Sequence, residues 1–239
     1  MTSESENEKE YLEFFKKLLD QLIYVNNIFE IYKHIQNKRV DKLSELNFAP
    51  TFFGLVLESL FSDTIVTLCK IYKNGKNDEY NIHTFLELIE KNVILFSWEK
   101  RFSRSTFKEQ DIEYYKKLHN RVDLDIISKH REQIKQKHKS VESLFFWRDK
   151  HFAHNDKKYF LSSDLIAKDS PITYGEIKEL IELVQDIMNY YSVAFNGCSN
   201  SINYMGQFDI DKILDALTEY KKMKKDDWNR KYKNYRSDK

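Results

Sequence analysis

The chain has 239 residues, 41% of them hydrophobic and 15% aromatic, enough apolar side chain for a buried core, which excludes general disorder. Five glycines and two prolines are too few to punctuate a sandwich or a barrel, so long helices are expected. The formal charge of +1 gives no overall pull toward nucleic acid, yet it is polarised: Glu4, Glu6, Glu8 and Glu10 open the chain, and nine Lys/Arg face three Asp over 221–239.

The start is acidic and lacks an apolar stretch, so it does not read as a signal peptide. After it, residues 10–37 form an amphipathic helix with Phe14, Leu18, Leu22, Val25, Phe29 and Tyr32 at three- and four-residue steps. A second helix is expected over 51–73, with Gly75 available for a left-handed cap. Glu58, Asp63 and Lys70 interrupt its apolar run, which reads as a core helix and not a membrane span. Asn81 can cap a short helix over 82–92, and 93–107 reads as a broken helix. A charged helix is expected over 108–137, and residues 129–139 hold a second basic run of Lys129, Arg131, Lys135, Lys137 and Lys139 against Glu132. Such a run is either a solvated face or a local patch for nucleic acid.

Another helix follows over 140–154, then a loop over 158–173. Thr173 with Glu176 makes a capping box for a helix reaching Phe195, and a last helix spans 208–223. The expected layout is an acidic tail (1–9), a helical domain (10–223) and a basic tail (224–239) that frays. The fold class is all-α, an antiparallel bundle of four to five long helices with short extra ones. Cys69 and Cys198 have no metal-type spacing and read as buried free thiols of a reducing compartment, hence a cytoplasmic protein. His34, His83, His119, His130 and His138 are expected on exposed polar faces.

One segment carries chemistry. On a helix at about 100° per residue, Leu144, Phe145, Trp147 and Phe152 share an apolar arc with Val141, while Glu142, Asp149 and Lys150 face solvent. Arg148 falls near the centre of the apolar arc, and Arg148, His151 and His154 make an i, i+3, i+6 row. A guanidinium pointed into a core is costly unless paired. It either meets a buried acid such as Glu58 or Asp63, or belongs to a site. The row suits phosphodiester transfer within RNA: the ribose 2′-hydroxyl is the nucleophile, a His moves protons near neutral pH, and a planar Arg fork holds phosphate oxygens.

Phe146-Trp147-Arg148-Asp149-Lys150-His151-Phe152-Ala153-His154-Asn155-Asp156 resembles the R-x(4–6)-H signature of the HEPN (higher eukaryotes and prokaryotes nucleotide-binding) superfamily. It is similar to the R-(N/D)-K-x-x-A-H-x-D strings of the abortive-infection branch. Leu68 to Tyr72, Ile82 to Ile89 and Ser170-Pro171-Ile172-Thr173 resemble that branch too, so the likeness runs over about residues 50–200.

The resemblance implies a helical bundle and a homodimer that brings two such segments to one cleft. It also implies metal-independent RNA cleavage, with no cofactor, in toxin or antiviral defence systems. By position, Arg148 would bind and polarise the scissile phosphate, His154 would transfer the proton and Asp149 would orient the pair. His151 and Lys150 are auxiliary. The expected partners are RNA, a second copy of the chain and an antitoxin protein, with no membrane. Two other readings stand beside this one: a HEPN-like protein that binds RNA or nucleotides without cutting, and a metal hydrolase built on His151 and His154, which needs a third ligand.

Overall fold

The computed structural model describes residues 2–75, 80–105, 111–153, 167–204 and 206–237. Among them the regular elements are helical and no strand occurs, as the periodicity predicts. In chain order these are α1 (Thr2–Asn37), α2 (Leu43–Leu46), α3 (Pro50–Tyr72) and α4 (Ile82–Lys91). A 3-10 turn (Val93–Phe96) leads to α5 (Trp98–Arg104), α6 (Ile112–Lys117), α7 (Leu124–Gln136) and α8 (His138–Trp147). A π-helical turn (Arg148–Ala153), α9 (Tyr174–Asn196) and α10 (Gln207–Ser237) follow. Of these, α3 is long and apolar enough to cross a bilayer by length and composition. Its second half is buried, with Ile65, Leu68, Ile71 and Tyr72 at 2% exposure or less.

Two units make up the chain, and α1 and α3 contribute to both. The first comprises Met1–Asn26 and Ser62–Asn203. Leu18, Leu22, Ile65, Leu68, Phe85, Leu86, Leu180 and Val184 are fully buried in it. Tyr11 meets Phe96 edge-on at 5.0 Å and Phe195 at 4.6 Å, and the Tyr72 hydroxyl donates to the Leu180 carbonyl at 2.6 Å. The second comprises Asn27–Phe61 and Tyr204–Lys239. There Leu46 and Leu214 are buried, Asp211 pairs with Lys38 at 2.8 Å, and the Thr218 hydroxyl donates to Glu45 at 3.1 Å.

Local signals account for the helix ends. The Asn81 side chain accepts from the His83 and Thr84 amides, and Thr173 and Glu176 close the expected capping box. A left-handed glycine, Gly197 (φ 82°), forms the C-cap of α9.

The run 108–137 is not one helix. The chain leaves helical conformation after Lys117, and Asp123 caps a new helix by accepting from the Ile126 amide. Tertiary bonds hold the break: Asn120 donates to the Tyr190 carbonyl at 3.0 Å, and the Tyr190 hydroxyl donates to the Arg121 carbonyl at 2.5 Å. α1 begins at Thr2, with Glu8 bound to Arg104 at 3.0 Å. α10 continues through the basic segment to Ser237, supported by the stacked Trp228–Tyr232 pair and the Asp227–Arg230 ion pair.

Candidate functional site

The site begins with α8, which is fastened to its neighbour α9 at several points. Lys137, just before α8, pairs with Glu179 at 2.7 Å, and the Ser140 hydroxyl donates to Glu176 at 3.3 Å. Trp147 Nε1 donates to the Ser170 carbonyl at 2.8 Å, and the Ser170 hydroxyl returns to Ser143 at 3.1 Å. With Leu144 fully buried, the C-terminal end of α8 has a fixed position. The backbone changes pitch there: the Arg148 amide still points to the Leu144 and Phe145 carbonyls, while Arg148–Ala153 is wound as a π turn. π turns are rare and occur frequently at functional sites.

At this junction the Arg148 guanidinium lies over the Phe145 ring, 4.7 Å from its centroid. Asp149 Oδ1 accepts from Nε of Arg148 at 2.6 Å and is ion-paired with Nη2 at the same distance. The two side chains are 27% and 47% exposed, so the pair is neither buried nor free in solution. A part-exposed ion pair contributes up to about 1 kcal/mol, and an exposed cation–π contact about 0.5–1 kcal/mol. Such terms fix an orientation more than they hold a fold together.

The expected buried partners of Arg148 are otherwise placed. Asp63 receives the Tyr24 hydroxyl and, at 3.5 Å, that of Thr67, and Glu58 is exposed. Asp149 and Lys150 are half-buried rather than facing open solvent. The regular α spacing on which the row of Arg148, His151 and His154 depends ends at Trp147, where the π turn begins. His154 and the side chain of His151 lie outside the described residues.

Burial pushes the Cys69 thiol on α3 up to about 12; Arg148 acts against that shift and Asp149 adds to it. Cys69 is therefore a thiol at neutral pH, and it lies within electrostatic reach of the Arg148–Asp149 pair. Cys198, expected buried, is exposed. Among the described residues, no three His, Cys, Asp or Glu side chains come together as a metal site.

Three of the histidines expected on exposed faces are drawn inward. His130 is buried, with Nδ1 2.8 Å from the Tyr191 hydroxyl. Burial lowers its pKa and those of His83 and His119. His34 pairs with Asp211 at 3.0 Å, and His138 is exposed.

Two features escaped the sequence reading. One is the aromatic support beneath Arg148, which an Arg three residues after a Phe on one helix face could have signalled. The other is a cleft of about 350 Å³ that Phe145 also lines, together with residues of α7, α4 and the end of α3.

An all-helical protein in which an arginine, paired with the next-residue aspartate, is followed six residues on by a histidine resembles the HEPN proteins. Residues 8–215 match the HEPN_AbiU2 family, described as AbiU2, and the chain belongs to this abortive-infection HEPN family. The match begins well before the segment over which the sequence resemblance was drawn and takes in α1. No curated protein and no solved structure matches the chain.

Proposed function

We propose that this protein is a metal-independent endoribonuclease of the toxin or abortive-infection type, acting on RNA in the cytoplasm. The observation that carries the reading is the Arg148 guanidinium held on Phe145 by Asp149 at the α-to-π junction, within a chain of the abortive-infection HEPN family.

In this reading Arg148 binds the scissile phosphate and stabilises the charge that builds on its oxygens in the transition state. The 2′-hydroxyl attacks phosphorus as its proton is taken up, the bond from phosphorus to the 5′-oxygen breaks, and that oxygen receives a proton. His154 is the proton-transfer residue, Asp149 orients Arg148, and His151 and Lys150 assist. The products are a 2′,3′-cyclic phosphate and a 5′-hydroxyl. A homodimer would bring two copies of the segment to one cleft, since an isologous interface sets the same patch against itself. A separate antitoxin would restrain the activity between infections.

The test is cleavage of single-stranded RNA by the purified protein in EDTA, with DNA of the same sequence as control. RNA alone should be cut, with cyclic-phosphate ends. Arg148→Ala and His154→Ala should each slow the reaction by about 10²-fold or more, and His151→Ala by less. Binding of RNA without any cleavage would replace this reading with a non-cutting one. Activity lost in EDTA and restored by zinc would point to a metal hydrolase on His151 and His154.

A further inference from the structure

The cleft beside the Arg148–Asp149 pair has a chemistry of its own. Ile134 from α7 and Val141 and Phe145 from α8 supply apolar walls, and Arg131, Lys135 and His138 line the same space. The acid among the lining residues is Glu142, so cationic and titratable nitrogen groups outnumber carboxylates. Arg131 is already steered by Glu90, 2.6 Å away where α4 packs on α7, while Lys135 and His138 are exposed. The volume, about 350 Å³, is at the small end of ligand sites, which span roughly 300–1,000 Å³. It suits one flat ring with a phosphate attached and is too small for a docked helix. Phe145 belongs to both places: its ring lines the cleft and lies under the Arg148 guanidinium, 4.7 Å from it.

We propose that this cleft is a nucleotide subsite, in which a base packs against Phe145, Val141 and Ile134 and its phosphate is met by Lys135 and His138. An aromatic wall with a basic rim is the pattern by which single-stranded nucleic acid is held, because every base has a π-face and every phosphate a charge. The inference rests on the ribonuclease reading for its source: the ligand is a nucleotide of the RNA strand adjoining the phosphate held by Arg148. A free nucleoside monophosphate has the same chemistry. The cleft would then select unpaired RNA, since a base within a duplex cannot be splayed into it without losing its pair.

The test is fluorescence anisotropy of the full chain with a labelled single-stranded 2′-O-methyl oligoribonucleotide, which has no free 2′-hydroxyl and so reports binding without cleavage. Two variants probe the cleft. Val141→Trp fills it, and the double variant Lys135→Ala/His138→Ala removes two exposed basic groups without touching the core. Each should weaken binding by about tenfold or more, the scale on which one stacked base counts. The double variant should also flatten the salt dependence, by about 0.7 in log–log slope for each phosphate that is no longer neutralised.

Unchanged affinity in the double variant, or in a folded Val141→Trp, overturns the subsite, and cleavage of ordinary RNA by the unmodified chain would survive that result. Weakened binding in the variants, with no cleavage of ordinary RNA by the unmodified chain, upholds the subsite and sinks the nuclease. Competition by AMP, GMP, CMP or UMP at concentrations as low as those of the oligonucleotide would make the free nucleotide the ligand and overturn the assignment to RNA.

Discussion

A single carboxylate oxygen of Asp149 accepts a hydrogen bond from Nε of the neighbouring Arg148 and lies 2.6 Å from its Nη2. This side-on grip leaves the direction of the guanidinium plane set by the backbone turn that carries both residues. Asp149→Ala should therefore slow RNA cleavage by about tenfold while changing unfolding free energy by less than about 1 kcal/mol. Single-turnover rates and urea melts on the same preparation separate the two effects. A large loss of stability with an intact rate would make Asp149 a structural residue.

Arg148→Lys should rescue little of what Arg148→Ala loses. An ammonium keeps the charge but has no planar fork to meet Asp149 and a phosphate together. Recovery of most of the rate by lysine would show that charge alone suffices and that the fork geometry is incidental.

Phe145→Leu retains an apolar side chain but removes the ring beneath the guanidinium. The stacking is worth about 0.5–1 kcal/mol, so the cleavage rate should fall by roughly two- to fivefold with the circular dichroism spectrum unchanged. An unaltered rate would mean that Asp149 alone sets the guanidinium.

The buried histidines make stability depend on pH. Burial, with Lys129 adding to it, holds the His130 pKa below its ordinary value of about 6.5. The unfolded chain then binds more protons than the folded one below that value, so stability rises with pH. The contribution is whole above about pH 6.5 and is lost as pH falls through the lowered folded value. His83 and His119 act in the same direction. Urea unfolding at about pH 8 and about pH 5 should show the loss, and His130→Gln should reduce it. The same pH dependence in the variant would remove His130 from the account.

Gly197→Ala should destabilise the first unit by about 1–2 kcal/mol for the left-handed backbone alone. A Cβ there would also come within 2.8 Å of Arg101 Nη2, so the buried Arg101 must shift. Thermal melts of the single variant check this, and a change below about 0.5 kcal/mol, the level of an ordinary surface substitution, would contradict it.

The starts capped by Asn81 and Thr173 were legible because a side chain capping its own backbone is local information, although the local caps Ser97 and Asp123 were not read. The break before Leu124 was not legible, since the bonds that hold it come from Tyr190, some seventy residues on. His130 was misjudged because its helix is mostly polar, although Ile127 and Ile134 share its buried face and Tyr191 meets its ring. At the site, the motif, the likeness to HEPN proteins and an orienting role for Asp149 could be read from residues 146–156, whereas the ion pair between neighbouring Arg148 and Asp149 could not. Neighbours i and i+1 do not face each other on an α-helix. The pairing with Asp149 arises where the helix changes to a π turn, a change that no periodicity at 100° per residue can anticipate.

Trp147 and Ser170 have a consequence for how such proteins can diversify. The indole hydrogen bond ties Ser170, just before α9, to the end of α8, and Ser143 secures that tie. Both ends of the intervening stretch are thus anchored to one rigid element. Lengthening a connection anchored in this way costs little, about 0.6 kcal/mol for each doubling. Changes of length beyond the motif and before Ser170 would therefore leave Trp147, Arg148 and Asp149 in place at the end of α8.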